Sequence, residues 1–159
     1  MTGNSLDKID MKIISELSKN AGISHAELAS ACGITRQTIA SRIKSLEKMG
    51  VIKNYRAVID LTKIGYGSFF ILFLKLDVTD QGLAQEFIKS IKDDPNVLMD
   101  VSITGEWDVM LILAFRDVRE YESYINDLRV KVGPILKDTK SHVILNFYKS
   151  IEDHVPCLK

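Results

Sequence analysis

The sequence predicts an α+β protein in two parts, a three-helix head and a βαββαβ body. Three observations predict it. Before residue 50, apolar residues recur at helical spacing in three short segments, separated by Asn20-Ala21-Gly22 and by Gly33. From Ser68 the pattern changes to a run, Phe69 to Asp77, that is apolar on both alternations, as in a strand buried on both faces. From there to Tyr148, strand and helix patterns follow in the order strand, helix, strand, strand, helix, strand.

Length and composition agree with one domain or two small ones. The chain has 159 residues, 46% hydrophobic and 26% charged, ordinary for a water-soluble globular protein. The longest apolar run, Ser68 to Leu74, is too short to span a bilayer and is broken by Lys75. The opening MTGNSLDKID lacks a charged-then-apolar pattern, so no signal peptide is expected. Cys32 and Cys157 are far apart with no CxxC, which fits a reducing, cytoplasmic setting. His25, His142 and His154 show no metal-ligand spacing, so no metal is expected. The net charge is zero but uneven: residues 1–56 sum to +4 and the remainder to −4. A basic head on an acidic body fits a nucleic-acid-binding segment attached to a body with another task.

In the head, Leu6, Ile9, Ile13, Ile14 and Leu17 mark a helix from about Asp7 to Lys19. Ser24 with Glu27 forms a capping-box pattern for a second helix, His25 to Ala31, that buries Leu28, Ala29 and Cys32. Gly33 permits the positive φ that lets two helices meet steeply. Thr35 can cap the third helix by accepting from a free N–H of its first turn. Ile39, Ile43 and Leu46 line one face of that helix, and Gln37, Ser41, Lys44 and Lys48 the opposite one. Thr35, Arg36, Thr38 and Arg42 flank the polar face. Gly50 stops the helix, and Val51-Ile52-Lys53-Asn54-Tyr55 is a β-prone run. Amide, hydroxyl and ammonium groups on the outer side of a half-buried helix suit the DNA major groove. Taken alone, the helix favours the plainer reading, an ordinary amphipathic helix with a solvated basic face. The helix, Gly turn, basic helix, short strand order makes it a winged helix-turn-helix.

Lys53 to Ile64 reads as a strand and hinge, with a boundary turn at Ile64-Gly65-Tyr66-Gly67. The body then places strands at Phe69–Asp77, Val97–Ile103, Trp107–Phe115 and Thr139–Tyr148. Helices fall at Gln81–Lys92, with Leu83, Phe87, Ile88 and Ile91 inward, and along Val118, Tyr121, Ile125, Leu128 and Val132, ending at Gly133-Pro134. This is the ferredoxin-like plan. Both helices cover one sheet face. The other face is still apolar, and a second copy of the same sheet is its simplest cover, which predicts a two-fold dimer.

The stretches LDKIDMKIISEL and ELASACGITRQTIASRIKSLEKMGVIKNYRAVID resemble the N-terminal half of the Lrp/AsnC, or feast/famine, family of transcription regulators. This resemblance covers Leu6 to about Gly65 and departs at Cys32, a core position where the family prefers a longer side chain. VLMDVSITGEWDVMLIL and ILKDTKSHVIL resemble the family's effector domain, extending coverage to Lys149. The resemblance implies a helix-turn-helix that binds double-stranded DNA and a linking strand that pairs with its counterpart in a dimer. It further implies assembly of dimers into octamers, with a small effector, usually an amino acid, held between dimers. Thr104-Gly105-Glu106-Trp107-Asp108 matches the family's effector loop, and Thr139 and Ser141 fall where the family has polar residues on the last strand. Gly105 lets main-chain N–H groups approach a carboxylate, and Asp108 can accept from an α-ammonium group. Without the resemblance, that loop is a hairpin turn with an exposed acid, Trp107 is a packing residue, and the two hydroxyls are ordinary for an exposed strand face.

The expected organisation is a winged helix-turn-helix over 1–53, a linker strand and hinge over 54–66, a ferredoxin-like effector and dimerisation domain over 67–150, and a tail over 151–159. The expected function is sequence-specific regulation of transcription with an amino-acid effector, no cofactor and no membrane. Arg36 and Arg42 suit phosphate clamping, with bundle anchoring the alternative for Arg42. Two other functions stand beside this one. A sirohaem-decarboxylase-like enzyme of the same superfamily needs a His- and Asn-bearing loop, and Ile103 to Asp108 holds neither His nor Arg. An effector-independent architectural DNA-binding protein differs only in lacking a ligand response.

Overall fold

The computed structural model describes residues 6–77, 81–133 and 135–148, with the backbone alone at 81 and 84. The chain divides after Ile59 into two compact units, the second spanning Asp60–Phe147. The expected tail over 151–159, with His154 and Cys157, and Pro134 lie outside the described residues.

The first unit holds α1 (Lys8–Lys19), α2 (His25–Cys32) and α3 (Arg36–Lys48). Each begins at a side-chain cap. Asp7 caps α1 and closes a capping box with Asp10. Ser24 and Glu27 form the expected box on α2, and Thr35 accepts from Thr38 N–H on α3. These contacts satisfy N–H groups that a helix start leaves without partners. Gly33 takes φ 71° at the end of α2, and Gly50 takes φ 72° just past α3. Ile13, Leu28, Ile39 and Leu46 are fully buried and form the shared core, with Ile43 beside them.

Within one chain the expected strand over 53–64 does not form. Residues 53–60 have no regular structure, and Leu61–Ile64 is a 3-10 turn closed by Gly65. A strand needs a neighbour for its N–H and C=O groups, and no described segment of the chain pairs with this one. Tyr55, Val58 and Ile59 are exposed along it.

The second unit is a four-stranded antiparallel sheet under two helices. Its elements are β1 (Ser68–Leu76), α4 (Gln81–Lys92), β2 (Val97–Ser102), β3 (Val109–Phe115), α5 (Val118–Val132) and β4 (Leu136–Val143), with strand order β2-β3-β1-β4. That order is the ferredoxin-like topology. Alternation along β1 puts Phe70, Leu72, Leu74 and Leu76 into the core and leaves Phe69, Ile71 and Phe73 half-buried on the other face. Leu111, Leu113 and Phe115 of β3 and Phe87, Ile91, Tyr121, Ile125, Leu128 and Val132 of the helices complete this core. Leu72→Ala is expected to cost about 2–5 kcal/mol of unfolding free energy, because its site is fully enclosed and cannot collapse around the loss. Urea denaturation followed by circular dichroism checks this.

Three element details differ from the sequence reading. Ile88 and Leu83 are exposed, while Phe87 and Ile91 are buried. Each residue turns about 100° on a helix, so Ile88 sits roughly a quarter-turn away from Phe87. Val118 is likewise exposed, at the outer start of α5. The last strand runs Leu136–Val143 rather than 139–148, paired along β1 from Leu76↔Leu136 to Phe70↔Val143. Beyond it, Ile144 N–H still reaches Phe69 C=O at 2.8 Å, and the Phe147 ring meets Phe69 edge-on.

Candidate nucleic-acid interface and effector loop

The three buried residues of α3, Ile39, Ile43 and Leu46, fix which side of the helix faces out. Arg36, Gln37, Thr38, Ser41, Lys44 and Lys48 are all exposed on its remaining surface. Among the described residues, Arg36, Lys44 and Lys48 form no ion pair, so their charges stay available to an anion. Thr35 is exposed but committed: its Oγ1 caps α3 and bonds Thr38 Oγ1 at 2.8 Å.

Arg42 takes the bundle-anchoring place, the alternative to the phosphate clamp. Its Nη1 donates to Asp7 Oδ2 and Asp10 Oδ1, both at 2.7 Å, and its side chain is only 29% exposed. Its position on the helix explains this, since it borders the buried stripe on the side facing the start of α1. The sequence reading missed Asp7 and Asp10, which lie 35 and 32 residues away. An Asp-x-x-Asp cap can be read locally, but its ion-pair partner cannot. On the opposite border of α3, Glu47 Oε1 accepts from Tyr55 Oη at 2.9 Å, a contact also not foreseen.

These contacts shift acidities. The Asp10 main-chain N–H and the Arg42 guanidinium hold the Asp7 carboxyl below its ordinary value. Ser24 does the same for Glu27, through its hydroxyl and its main-chain N–H. Both carboxylates are depressed in the folded state, so they add stability above their unfolded pKa. That contribution is lost as pH falls through the folded values. The first unit is therefore expected to lose stability below about pH 4, and Asp7→Asn should flatten the fall. Melting temperature followed across acidic pH tests this.

In the second unit, residues 103–108 join β2 to β3. Ile103 N–H donates to Asp108 C=O at 2.9 Å and closes the loop. Thr104, Gly105 and Glu106 are exposed at its tip. Gly105 has φ 117°, a conformation that side-chain-bearing residues rarely take. A Cβ built there would meet nothing within 4 Å, so backbone conformation rather than crowding calls for glycine. Trp107 packs its ring on Phe73 of the open sheet face, with centroids 6.2 Å apart. Asp108 is partly engaged within the fold. Its Oδ2 accepts Leu76 N–H at 2.7 Å, where the β1–β4 register shifts, and its own N–H donates to Leu74 C=O at 3.0 Å.

Thr139 and Ser141 do not join this loop within one chain. Register sets them beside Leu74 and Leu72, both fully buried under the helices, so they point to the helix side of the sheet. Ser141 hydroxyl is bonded to Tyr121 hydroxyl, and both line a cleft of about 350 Å³ with Ile125 and Arg129. Trp107 lies over the other face. The period-two alternation separates the two sets, which sequence proximity to a shared site could not reveal.

A family profile described as winged helix-turn-helix DNA-binding matches residues 6–53, and one described as the Lrp/AsnC ligand binding domain matches residues 70–152. The chain belongs to the Lrp/AsnC family. An uncharacterised helix-turn-helix-type transcriptional regulator of Pyrococcus abyssi is 31% identical over 91% of this chain and 95% of its own. The proline dehydrogenase transcriptional activator of Rhodobacter capsulatus is 28% identical over 96% and 97%. Among solved structures, a feast or famine regulatory protein from M. tuberculosis complexed with L-methionine superposes with TM-score 0.83. It is 26% identical, with 96% of this chain and 100% of that chain covered. Membership in the Lrp/AsnC family makes this chain a transcription regulator with a DNA-binding first domain and a ligand-binding second domain. No helix among the described residues is long and apolar enough to cross a membrane.

Proposed function

We propose that this Lrp/AsnC-type regulator reads double-stranded DNA through the outer face of α3 and tunes that binding through an amino acid held in its second domain. The carrying observation is the outer face itself: Arg36, Gln37, Ser41, Lys44 and Lys48 are exposed, and its cations form no ion pair among the described residues. Gln37 can pair bidentately with adenine, Lys44 and Lys48 can reach guanine or phosphate, and Arg36 suits phosphate.

Two copies are needed for half-site reading. The open sheet face, with Phe69, Ile71, Phe73, Met110 and Ile112, is apolar enough to be covered by its own copy. Reading two half-sites on one side of a duplex calls for two α3 helices about 34 Å apart, one turn of duplex. Further assembly of dimers to octamers places effector loops at contacts between dimers.

The effector proposal rests on the 104–108 loop, with Gly105 opening the main chain, and on the L-methionine complex of the M. tuberculosis relative. Thr104, Gly105, Glu106, Trp107 and the second Asp108 oxygen are the contacts proposed. Thr139 and Ser141, on the helix side of the sheet, do not reach this loop within one chain and would take part only from a neighbouring subunit. An effector that prefers one assembly geometry shifts the spacing of the α3 pairs and so operator affinity. The reading is of a non-catalytic regulator, since the loop carries neither His nor Arg to hold a tetrapyrrole carboxylate.

Two measurements test it. Selection from a random duplex pool should enrich one sequence with two related half-sites. A thermal-shift screen of the purified protein against the standard amino acids, with light scattering on each hit, should find a stabilising ligand that alters or fixes the assembly. No enriched duplex would end the DNA reading. No stabilising amino acid would leave an effector-independent, architectural role.

A further inference from the structure

The buried residues of α3 hold the helix against the bundle, but an apolar stripe tolerates a small roll about the helix axis. Base reading does not, because hydrogen bonds to base edges weaken steeply with angle. Two polar contacts sit where they would stop that roll. Arg42 binds Asp7 and Asp10 on one border of the buried stripe, and Glu47 binds Tyr55 on the other. At about 100° per residue, these two attachments are roughly 140° apart around the helix.

The Arg42 end is itself built in. Asp7 Oδ1 accepts the Ile9 and Asp10 N–H groups at 2.8 Å, while Asp10 Oδ2 accepts the Asp7 N–H at 3.1 Å. The two carboxylates are thus fixed by the capping box of α1 before they meet the guanidinium. Asp10 is only 15% exposed, so this pair is shielded better than most surface pairs. The Glu47 end is anchored by the chain that follows α3. Val51 and Ile52 N–H groups both return to Leu46 C=O, at 2.9 and 3.3 Å, and bring Tyr55 back over the helix.

We propose that Arg42 and Glu47 are positioning residues that set the rotation of the recognition helix from its two edges, and that Arg42 contributes to specificity without touching DNA. This rests on the DNA-binding reading above. Arg42 is the cation of α3 that the fold spends on itself, while Arg36, Lys44 and Lys48 remain for phosphates and bases.

The test uses the full-length protein and the duplex enriched by the wild type, with a scrambled duplex of equal length. Failure to enrich any duplex would be seen before a variant is made and would count against the DNA reading itself. Affinity for both duplexes is measured across a salt series for Arg42→Gln, Arg42→Lys and Tyr55→Phe, with melting temperature recorded for each. The expected result is a ratio of selected to scrambled affinity that falls about tenfold in Arg42→Gln and Tyr55→Phe, the size of one weakened base contact. Arg42→Lys, which keeps a cation able to donate to both carboxylates, should restore most of the ratio. The salt slope should stay at the wild-type value in all three. A slope lower by about 0.9 in Arg42→Gln would mean a phosphate contact and would overturn the proposal. An unchanged ratio in Tyr55→Phe and Arg42→Gln would overturn it equally, leaving the helix held by its buried face alone. Tyr55→Phe removes a single hydroxyl from an exposed side chain, so the test survives a folding defect in the arginine variants.

Discussion

Replacing Lys44 and Lys48 together by alanine is expected to lower the salt slope of DNA binding by about 1.8, if each ammonium releases the counterions of one phosphate. Affinity should fall on selected and scrambled duplexes alike, because ammonium–phosphate contacts carry little sequence information. Both side chains are exposed and form no ion pair among the described residues, so the substitutions remove charge without opening a cavity. Alanine also has the higher helix propensity, and the melting temperature should hold or rise slightly. If one lysine reaches a guanine instead, the loss will be larger on the selected duplex and the slope change nearer 0.9. An unchanged slope in the double variant would remove these residues from the interface.

The second large effect concerns Asp108, and here the structure changes what a substitution means. Its carboxylate accepts the Leu76 N–H at 2.7 Å while its main chain closes the loop and meets Leu74. Asp108→Ala strands a part-buried N–H at the end of β1 and is expected to cost about 1.5–3 kcal/mol, the range for a hydrogen bond to a charged group. A lost ligand response in Asp108→Ala would therefore not distinguish a missing contact from a loosened loop. Asp108→Asn separates the two. Its amide oxygen can still accept from Leu76, so stability should stay within about 1 kcal/mol of wild type. Its missing charge can no longer pair with an α-ammonium group, so the thermal shift given by a stabilising amino acid should shrink or vanish. An undiminished shift in Asp108→Asn would assign Asp108 to the frame of the loop alone.

The capping residues, the Gly turns and the core stripes of the head are local features, set within a few residues of chain, and they are legible in order. Ser24 with Glu27, Thr35 before α3, and Ile39, Ile43 and Leu46 along it all follow from hydrogen-bond chemistry and helical period. The alternation of Phe70, Leu72 and Leu74 with Phe69, Ile71 and Phe73 likewise marks a strand that is apolar on both sides. Ile88 shows the limit of such reading, since an apolar residue one step beyond a buried one is carried off the covered face.

What local pattern could not supply is any choice that depends on a distant partner. Arg42 reads as a phosphate clamp or a bundle anchor, and the choice is open until the fold brings Asp7 and Asp10 to it from more than thirty residues away. Asp108 reads as a free acid in a turn until Leu76, on a neighbouring strand, donates to it. Thr139 and Ser141 read as companions of the 104–108 loop until the β1–β4 register turns them to the helix side. Residues 53–60 read as a strand, yet β-propensity has no effect without a neighbour to complete the ladder. The sequence alone determined the two-part architecture and the outward face of α3, because those depend on period and local caps, while the family followed from the resemblance of whole stretches. Only the tertiary structure decided which charges are spent inside the fold and which remain to meet a ligand, because an ion pair or a strand register exists only once distant segments are brought together.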